Sequence, residues 1–339
     1  LISWAASLGV SRWLGEESWL NQHIFKVEID RARVRDDYFV WLANWFMAEL
    51  ERDKHGSTMQ HLTADAFGGF PVLLPPFPVQ EYLANYLDRE TCQIDKLVAA
   101  KEKVLALMDE KRRALITHAV TRGLNPKAPL RNSGIPWLGQ IPRHWETKRS
   151  KWIFTERDER STKGEEVLLS LRMEKGLVPH NDVSEKQTTP EELIGYKKTS
   201  VGEIVINRMR ASSGLIAITP QEGLVSPDYA VFRVSSDVSP NYFSYLFTTE
   251  LLQGVFRSES TGLGTGSSGF LRLYSENFLS LWFPSPHIDE QRAIVDYIET
   301  ETGKLDALRA ATERTVALLR ERRAALIAAV VTGQIQIRG

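Results

Sequence analysis

Cysteine is almost missing from this chain. Cys92 is the one thiol in 339 residues, so no internal disulfide can form, and a reducing compartment is the expectation. Long apolar runs are missing as well: none approaches the ~18 residues that suggest a membrane span, and no signal-peptide pattern opens the chain. Residence in the cytoplasm, away from membranes, is therefore expected. Nor is there a surplus of either charge. The 42 Lys and Arg against 43 Asp and Glu leave a formal net charge of −1. Any grip on nucleic acid must come from local surfaces, because phosphate attraction depends on where Lys and Arg sit.

The usual catalytic signatures are absent too. No G-x-x-x-x-G-K-[ST] stretch occurs, and TGLGTGSSG (261–269) has the glycines of a phosphate cradle without its lysine. The 7 histidines are scattered, with no metal-ligand spacing. There is no G-x-S-x-G elbow and no Asn/Asp-Pro-Pro-Tyr/Phe stretch of the kind that holds a flipped adenine. Together these absences point away from an enzyme and away from a bound metal. What remains is an ordinary globular composition, 42% hydrophobic and 25% charged, in a length suited to about two domains.

Repetition is what the sequence does contain. KRRALITHAVT (111–121) returns as RRAALIAAVVT (322–332). Tyr86 matches Tyr297 at an offset of 211, and the same ungapped offset aligns Ser57 with Ser268, Leu62 with Leu273, Phe67 with Phe278 and Pro75 with Pro286. It also aligns Gln80 with Gln291, Glu90-Thr91 with Glu301-Thr302 and Asp95 with Asp306. Upstream, LNQHIFKV (20–27) parallels PDYAVFRV (227–234) at an offset of 207, and Asp37-Tyr38-Phe39 parallels Asn241-Tyr242-Phe243. The repeat therefore includes a globular part as well as a helix. Residues 142–207 have no counterpart ahead of Leu1. The expectation is a fragment that begins inside its first domain, the alternative being a missing half supplied by another chain.

Each copy ends in a long helix. Pro75, Pro76 and Pro78 precede the first and Pro284 and Pro286 the second, and no Pro or Gly interrupts 79–122. Leu83, Leu87, Ile94, Leu97, Val104, Met108 and Leu115 keep a 3-and-4 spacing, interrupted at Glu90, Lys101 and Lys111. Ile294, Ile298, Leu305, Leu308, Leu319 and Leu326 repeat it, interrupted at Glu301, Thr312 and Arg322. About 40 residues at 1.5 Å each give a rod of ~60 Å, and two such helices in one chain most simply pair with each other. NPKAPLRNSGIPWLGQIP (125–142) reads as a linker.

The segment 143–283 reads as mixed α/β. VLLSL (167–171), EIVINRMR (203–210), GLIAIT (214–219) and DYAVFRV (228–234) have strand composition, and 239–256 reads as one helix capped by Ser239. NRMRASSG puts Arg208 and Arg210 on one side of a strand, followed by Ser212 and Ser213. Lys197, Lys198, Tyr229 and the loop residues Thr265, Ser267 and Ser268 are further candidates, and Gln22, His23 and Ser57 are those taken from the first copy. Arg reads guanine edges, while Ser, Thr, Lys and backbone amides mostly hold phosphates. Glu203 and Glu222 stand close by in sequence and temper the positive charge.

Two α/β domains in tandem, each followed by a long helix whose partner is the other, resemble the specificity subunit of type I restriction–modification systems. GEIVINRMRASSG (202–214), the paired SPDYAVFRV and LNQHIFKV, the helix entries PFPVQ and PHIDEQ, the two helix ends and GIPWLGQIPRHWE (134–146) carry the resemblance. It implies an α+β fold of two mixed α/β target recognition domains, the first incomplete, separated by two long antiparallel coiled-coil helices with an internal pseudo-two-fold repeat. The implied boundaries are 1–78 and 143–286 for the recognition domains, 79–124 and 287–332 for the helices, 125–142 for the linker and 333–339 for a tail. It further implies a non-catalytic subunit that reads a split target in double-stranded DNA. Such a subunit recruits two modification subunits, which methylate adenine with S-adenosylmethionine, and restriction subunits, which use ATP and Mg; the chain itself then needs no cofactor. Two other readings stand beside this one: a stand-alone sequence-specific DNA binder, and a coiled-coil scaffold that does not bind DNA.

Overall fold

The structure of the chain, a computed structural model, describes residues 1–3, 9–52, 67–262 and 271–335. It is a mixed α/β protein with two long helices, Phe77–Arg122 and Ile288–Val331, and it divides into two compact units. The first contains Leu1–Leu107 and Leu308–Gly339, the second Met108–Ala307. Each unit thus owns the beginning of one long helix and the end of the other.

In the first unit a small antiparallel sheet places Ile2 between Val10 and Phe25, beside the helix Asp36–Arg52. That helix sends Tyr38, Leu42, Phe46 and Met47 into a core shared with Leu83, Ala84 and Leu87 from the first long helix. Ile327, Val330 and Val331, the end of the second long helix, complete this core. Phe46 stacks on Phe70 with ring centroids 5.4 Å apart.

The second unit is built on a four-stranded antiparallel sheet in the order Ile216–Ile218, Ile204–Asn207, Tyr229–Val234, Phe154–Arg157. Alternate residues of a strand point to opposite faces, and here both faces are covered, which is why IVI (204–206) is apolar throughout. Ile204, Ile206 and Phe232 enter one core with Phe154, Phe243, Phe247 and Phe278. Val205 and Val231 enter another with Leu169, Leu171 and Leu177. The first core also takes Ala119 and Val120 from the end of the first long helix and Ile294, Val295 and Ile298 from the start of the second. The stretch 125–142 contributes Ile135, Leu138 and Ile141 to this core, and its ends pair as the strands Leu130–Asn132 and Gln140–Pro142.

The two units repeat each other's contacts at the offset seen in the sequence. Gln80 is fully buried, accepts the Arg35 N–H at 2.9 Å and donates to the Pro75 carbonyl at 2.9 Å. Gln291, also fully buried, accepts the Ser239 N–H at 2.8 Å and donates to the Pro286 carbonyl at 2.8 Å. Each glutamine ties the entry of its long helix to the start of a helix in the globular part and satisfies backbone groups that would otherwise be buried unpaired. In the first unit Arg323 bonds Asp95 at 2.8 Å and Arg320 bonds Glu102 at 2.6 Å. Residue numbers fall on one helix as they rise on the other, so the pairing is antiparallel. In the second unit Arg112 bonds Asp306, the same pair with the helices exchanged.

The buried seam differs in detail from the expectation. Leu97, Val104 and Leu308 are 52%, 39% and 54% exposed. The side chains turned inward are Leu87, Thr91, Ile94, Val98, Lys101, Leu105 and Met108, and 211 positions later Ile298, Thr302, Leu305, Arg309, Thr312, Val316 and Leu319. The strict 3-and-4 spacing runs through Val98 and Leu105 where Leu97 and Val104 were expected, and through Arg309 where Leu308 was expected, while Lys101 and Thr312 fall on it as the polar interruptions that the sequence led us to expect. Thr91 and Thr302 are accommodated by turning their hydroxyls back to the carbonyls of Leu87 and Ile298, at 2.6 and 2.7 Å.

Two local expectations are corrected. Residues 239–256 form two helices, Pro240–Phe247 and Glu250–Ser258, because the Thr249 hydroxyl accepts the Leu252 N–H at 3.4 Å and starts a new helix. Ser239 makes no side-chain cap; its contribution is the backbone N–H given to Gln291. The strand expected over EIVINRMR ends at Asn207, whose side-chain oxygen accepts the Met209 N–H at 3.0 Å and turns the chain.

Candidate nucleic-acid interface

The turn at Asn207 decides where the arginines go. Arg208 and Arg210 lie beyond the strand, so strand alternation does not govern them; the Arg210 N–H returns to the Asn207 carbonyl at 3.0 Å and the turn passes into Ala211–Ser213. Gly214 closes it with φ +77°, a conformation natural to glycine. Arg208 folds back: its guanidinium donates to Glu156 at 2.7 Å and to the Ser275 hydroxyl at 3.0 Å. Arg210 and Ser213 are exposed and Ser212 is half-buried.

Lys197 and Lys198 are adjacent in sequence and different in environment. Lys197 is 2% exposed, with its ammonium 3.1 Å from Asp158 and 3.8 Å from Glu156. Burial alone would raise the Asp158 carboxyl, but hydrogen bonds from Lys197 and Arg160 hold it below the ordinary carboxylate range. Lys198 is half-buried, 3.2 Å from Glu166 and 3.7 Å from Glu159. A hydrogen bond from Arg157 keeps Glu159 ionised below its usual range, and one from the Ser161 hydroxyl does so for Glu166. Glu203 is turned inward, accepting Arg157 at 3.2 Å and the Ser200 N–H at 2.8 Å. The carboxylates in TERDER (155–160) therefore take up much of the positive charge that the lysines and Arg208 bring. Alternation of acid and base in that stretch is the sequence signal for this network.

Tyr229 stands opposite Asn207 in the ladder and is half-buried. Burial pushes its phenol up, while a hydrogen bond from Asn207 and the charges of Arg172 and Arg210 pull it down. Arg210, Ser212, Ser213 and Tyr229 are thus brought to one end of the sheet. In the first unit Gln22 is exposed and His23 half-buried, in a turn where the His23 N–H is accepted by Asn21 at 3.0 Å. Ser57, Thr265, Ser267 and Ser268 lie outside the described residues. Among the described residues no group of His, Cys, Asp and Glu could hold a metal ion, and no helix is long and apolar enough to cross a membrane.

The fold is one of repeated α/β units on paired long helices, with Arg210, Ser212, Ser213 and Tyr229 at one end of a sheet. Residues 138–314 match the type I restriction modification DNA specificity domain, and the chain belongs to that family. It is similar to the EcoBI specificity subunit of Escherichia coli, 22% identical over 348 aligned positions covering 95% of this chain and 70% of that one. It is also similar to the MjaVIII specificity subunit of Methanocaldococcus jannaschii, at 20% identity over all of this chain and 79% of the relative. Among solved structures, a chain from work on complex assembly and conformational transition of the type I R-M system superposes with TM-score 0.67 at 16% identity, covering 91% of this chain and 74% of that one. The HsdS subunit from Thermoanaerobacter tengcongensis superposes with TM-score 0.51 at 15% identity, over 90% and 72%.

Proposed function

We propose that this chain is the non-catalytic specificity subunit of a type I restriction–modification complex and reads a split target in double-stranded DNA. The observation that carries the proposal is the exchange of the same contacts between the two units: Asp95 with Arg323 and Asp306 with Arg112, each helix entry held by a buried glutamine. A protein that repeats its scaffold in this way is suited to presenting two readers to one duplex, as half-site spacing follows protein geometry in dimeric DNA binders. In this reading 1–78 and 143–286 are the recognition domains, 79–124 and 287–332 the spacer helices, 125–142 a connection and 333–339 a tail.

The chain recruits two modification subunits, which bring S-adenosylmethionine, and restriction subunits, which bring ATP and Mg, and the assembly works in the cytoplasm. Arg210, Ser212, Ser213 and Tyr229 are the DNA contacts of the second unit, with Lys198 and the loop residues Thr265, Ser267 and Ser268. Gln22, His23 and Ser57 serve the first. Arg208 and Lys197 act from behind the surface, through Glu156 and Asp158, by holding the Asn207 turn and the Lys197–Thr199 strand in place.

The test is selection of duplexes from a random pool by the chain assembled with its modification subunit. Enrichment of one motif in two halves with a fixed gap is the expected result, and Arg210→Ala degrades one half alone. Enrichment of nothing at any salt concentration returns the scaffold reading.

A further inference from the structure

Stretches distant in sequence are tied together at the Asn207 end of the four-stranded sheet. Asn207 and Tyr229 are opposed in the ladder. Asp228, one residue earlier, is held in a turn: its N–H goes to the Ser226 hydroxyl at 3.3 Å and that of Tyr229 to the Ser226 carbonyl at 3.0 Å. From a third stretch, the Leu273 N–H binds the Arg208 carbonyl at 2.9 Å, and the Ser275 hydroxyl accepts the Arg208 guanidinium at 3.0 Å. Thr261 and Arg272 exchange both backbone hydrogen bonds, at 3.0 and 2.9 Å, so Arg272 is fixed where the chain from Thr261 returns to this end of the sheet. Leu273 is buried, and the side chain of its neighbour Arg272 reaches Asp228, 3.2 Å away.

This ion pair differs from the others nearby. Glu156 is shared by Arg208 and Lys197, and Asp158 by Lys197 and Arg160. Asp228 and Arg272 have only each other among the described residues, and there the Arg272 guanidinium, a planar fork of N–H donors, makes no hydrogen bond. Solvent reaches both partners, 38% of the arginine side chain and 53% of the aspartate. An exposed pair of this kind adds little to stability, so an anion that offers the fork two oxygens replaces the carboxylate at small cost. A phosphate of a duplex lying across Arg210, Ser212, Ser213 and Tyr229 is such an anion. The displaced carboxylate then stands beside the DNA backbone, and like charges repel.

We propose that Arg272 is a further DNA contact of this unit, to a backbone phosphate, and that Asp228 masks it in the free protein and opposes the duplex once displaced. The assignment rests on the DNA-reading function argued above. Arg272 lies in FLRLYS (270–275), outside NRMRASSG, and the bonds to Arg208 and Asp228 are what bring it to the reading end of the sheet. A phosphate contact fixes position and carries no base preference, so Arg272 and Asp228 shift the affinity for every duplex, in opposite directions.

The experiment measures binding of the full chain, assembled with its modification subunit, to a labelled duplex of the selected target and to one of unrelated sequence across a salt series. Arg272→Ala is expected to weaken both by the same factor and to lower the slope of log affinity against log salt by about one. Arg272→Lys, which keeps the charge, is expected to retain the wild-type slope. Asp228→Asn is expected to tighten both duplexes severalfold. The opposite signs separate a masked contact from a brace: Asp228→Asn binding that is unchanged, or weakened as in Arg272→Ala, overturns the assignment. A slope retained in Arg272→Ala while the preferred motif relaxes at one base pair overturns the phosphate in favour of a base edge. Absence of duplex binding by the wild-type assembly sinks the DNA-reading function itself, a result distinct from the others.

Discussion

The Tyr242 hydroxyl donates to the carbonyl of Val120 at 2.8 Å, and both residues are fully buried in one core. The bond joins a helix of the globular part to the last turn of a long helix that began far upstream in sequence. Tyr38 occupies the repeated position in the first unit and is equally buried, yet its hydroxyl has no hydrogen-bond partner among the described residues. The same substitution should therefore act differently at the two sites. Tyr242→Phe leaves a buried carbonyl short of its donor and is expected to cost about 1–2 kcal/mol; Tyr38→Phe removes an unpaired hydroxyl and should stay within about 0.5 kcal/mol of wild type, or stabilise. Urea denaturation of both variants checks this.

Alkaline pH probes the same two residues. Burial pushes the Tyr38 phenol up to about 12 and that of Tyr242 well above its ordinary value. In the unfolded chain both ionise near pH 10. A raised folded value means that the stabilisation is complete below about pH 10 and is lost as the pH rises toward the folded values. Melting temperature should be flat up to that point and fall steeply beyond it. Tyr38→Phe should reduce the steepness of the fall between about pH 10 and 12.

The buried glutamines carry a third expectation. Gln80→Leu or Gln291→Leu strips a helix entry of two or more hydrogen bonds and leaves backbone groups of Arg35 and Pro75, or Ser239 and Pro286, without their partners. About 2–3 kcal/mol is expected for each, read as a drop in the midpoint of chemical denaturation.

Much of the scaffold was legible in the sequence because repetition is a strong signal. The offset that aligns Gln80 with Gln291 and Asp95 with Asp306 is the one at which the contacts repeat. The first long helix, read from 79, begins at Phe77. The seam was less legible. Hydropathy does not separate Leu97 from Val98 or Val104 from Leu105, and it favours Leu308 over Arg309, so only the packed pair shows that Val98, Leu105 and Arg309 are the positions turned inward. Strands of three or four residues such as Lys197–Thr199 and Gly223–Val225 are too short to leave a period, and they form because partners distant in sequence meet. For the same reason the sequence could not separate Lys197, enclosed by carboxylates, from Arg210, which stands free of them. Ion pairing with Glu156 and Asp158 is a tertiary fact.

Spacing between the two halves of the target is the quantity that tests the proposed function most directly. A heptad inserted after Lys103 and another after Arg314, matched positions of the repeat, preserves the 3-and-4 seam and adds about 10 Å to the helical pair, or about three base-pair steps of 3.4 Å. The measurement is a genome-wide map of methylated adenines in cells expressing this chain with its modification subunit, with and without the insertions. Two half-sites unchanged in sequence, with the gap between them longer by about three base pairs, is the predicted result. An unchanged gap, or a single uninterrupted motif, would contradict the proposal that the paired helices set the distance between two DNA readers.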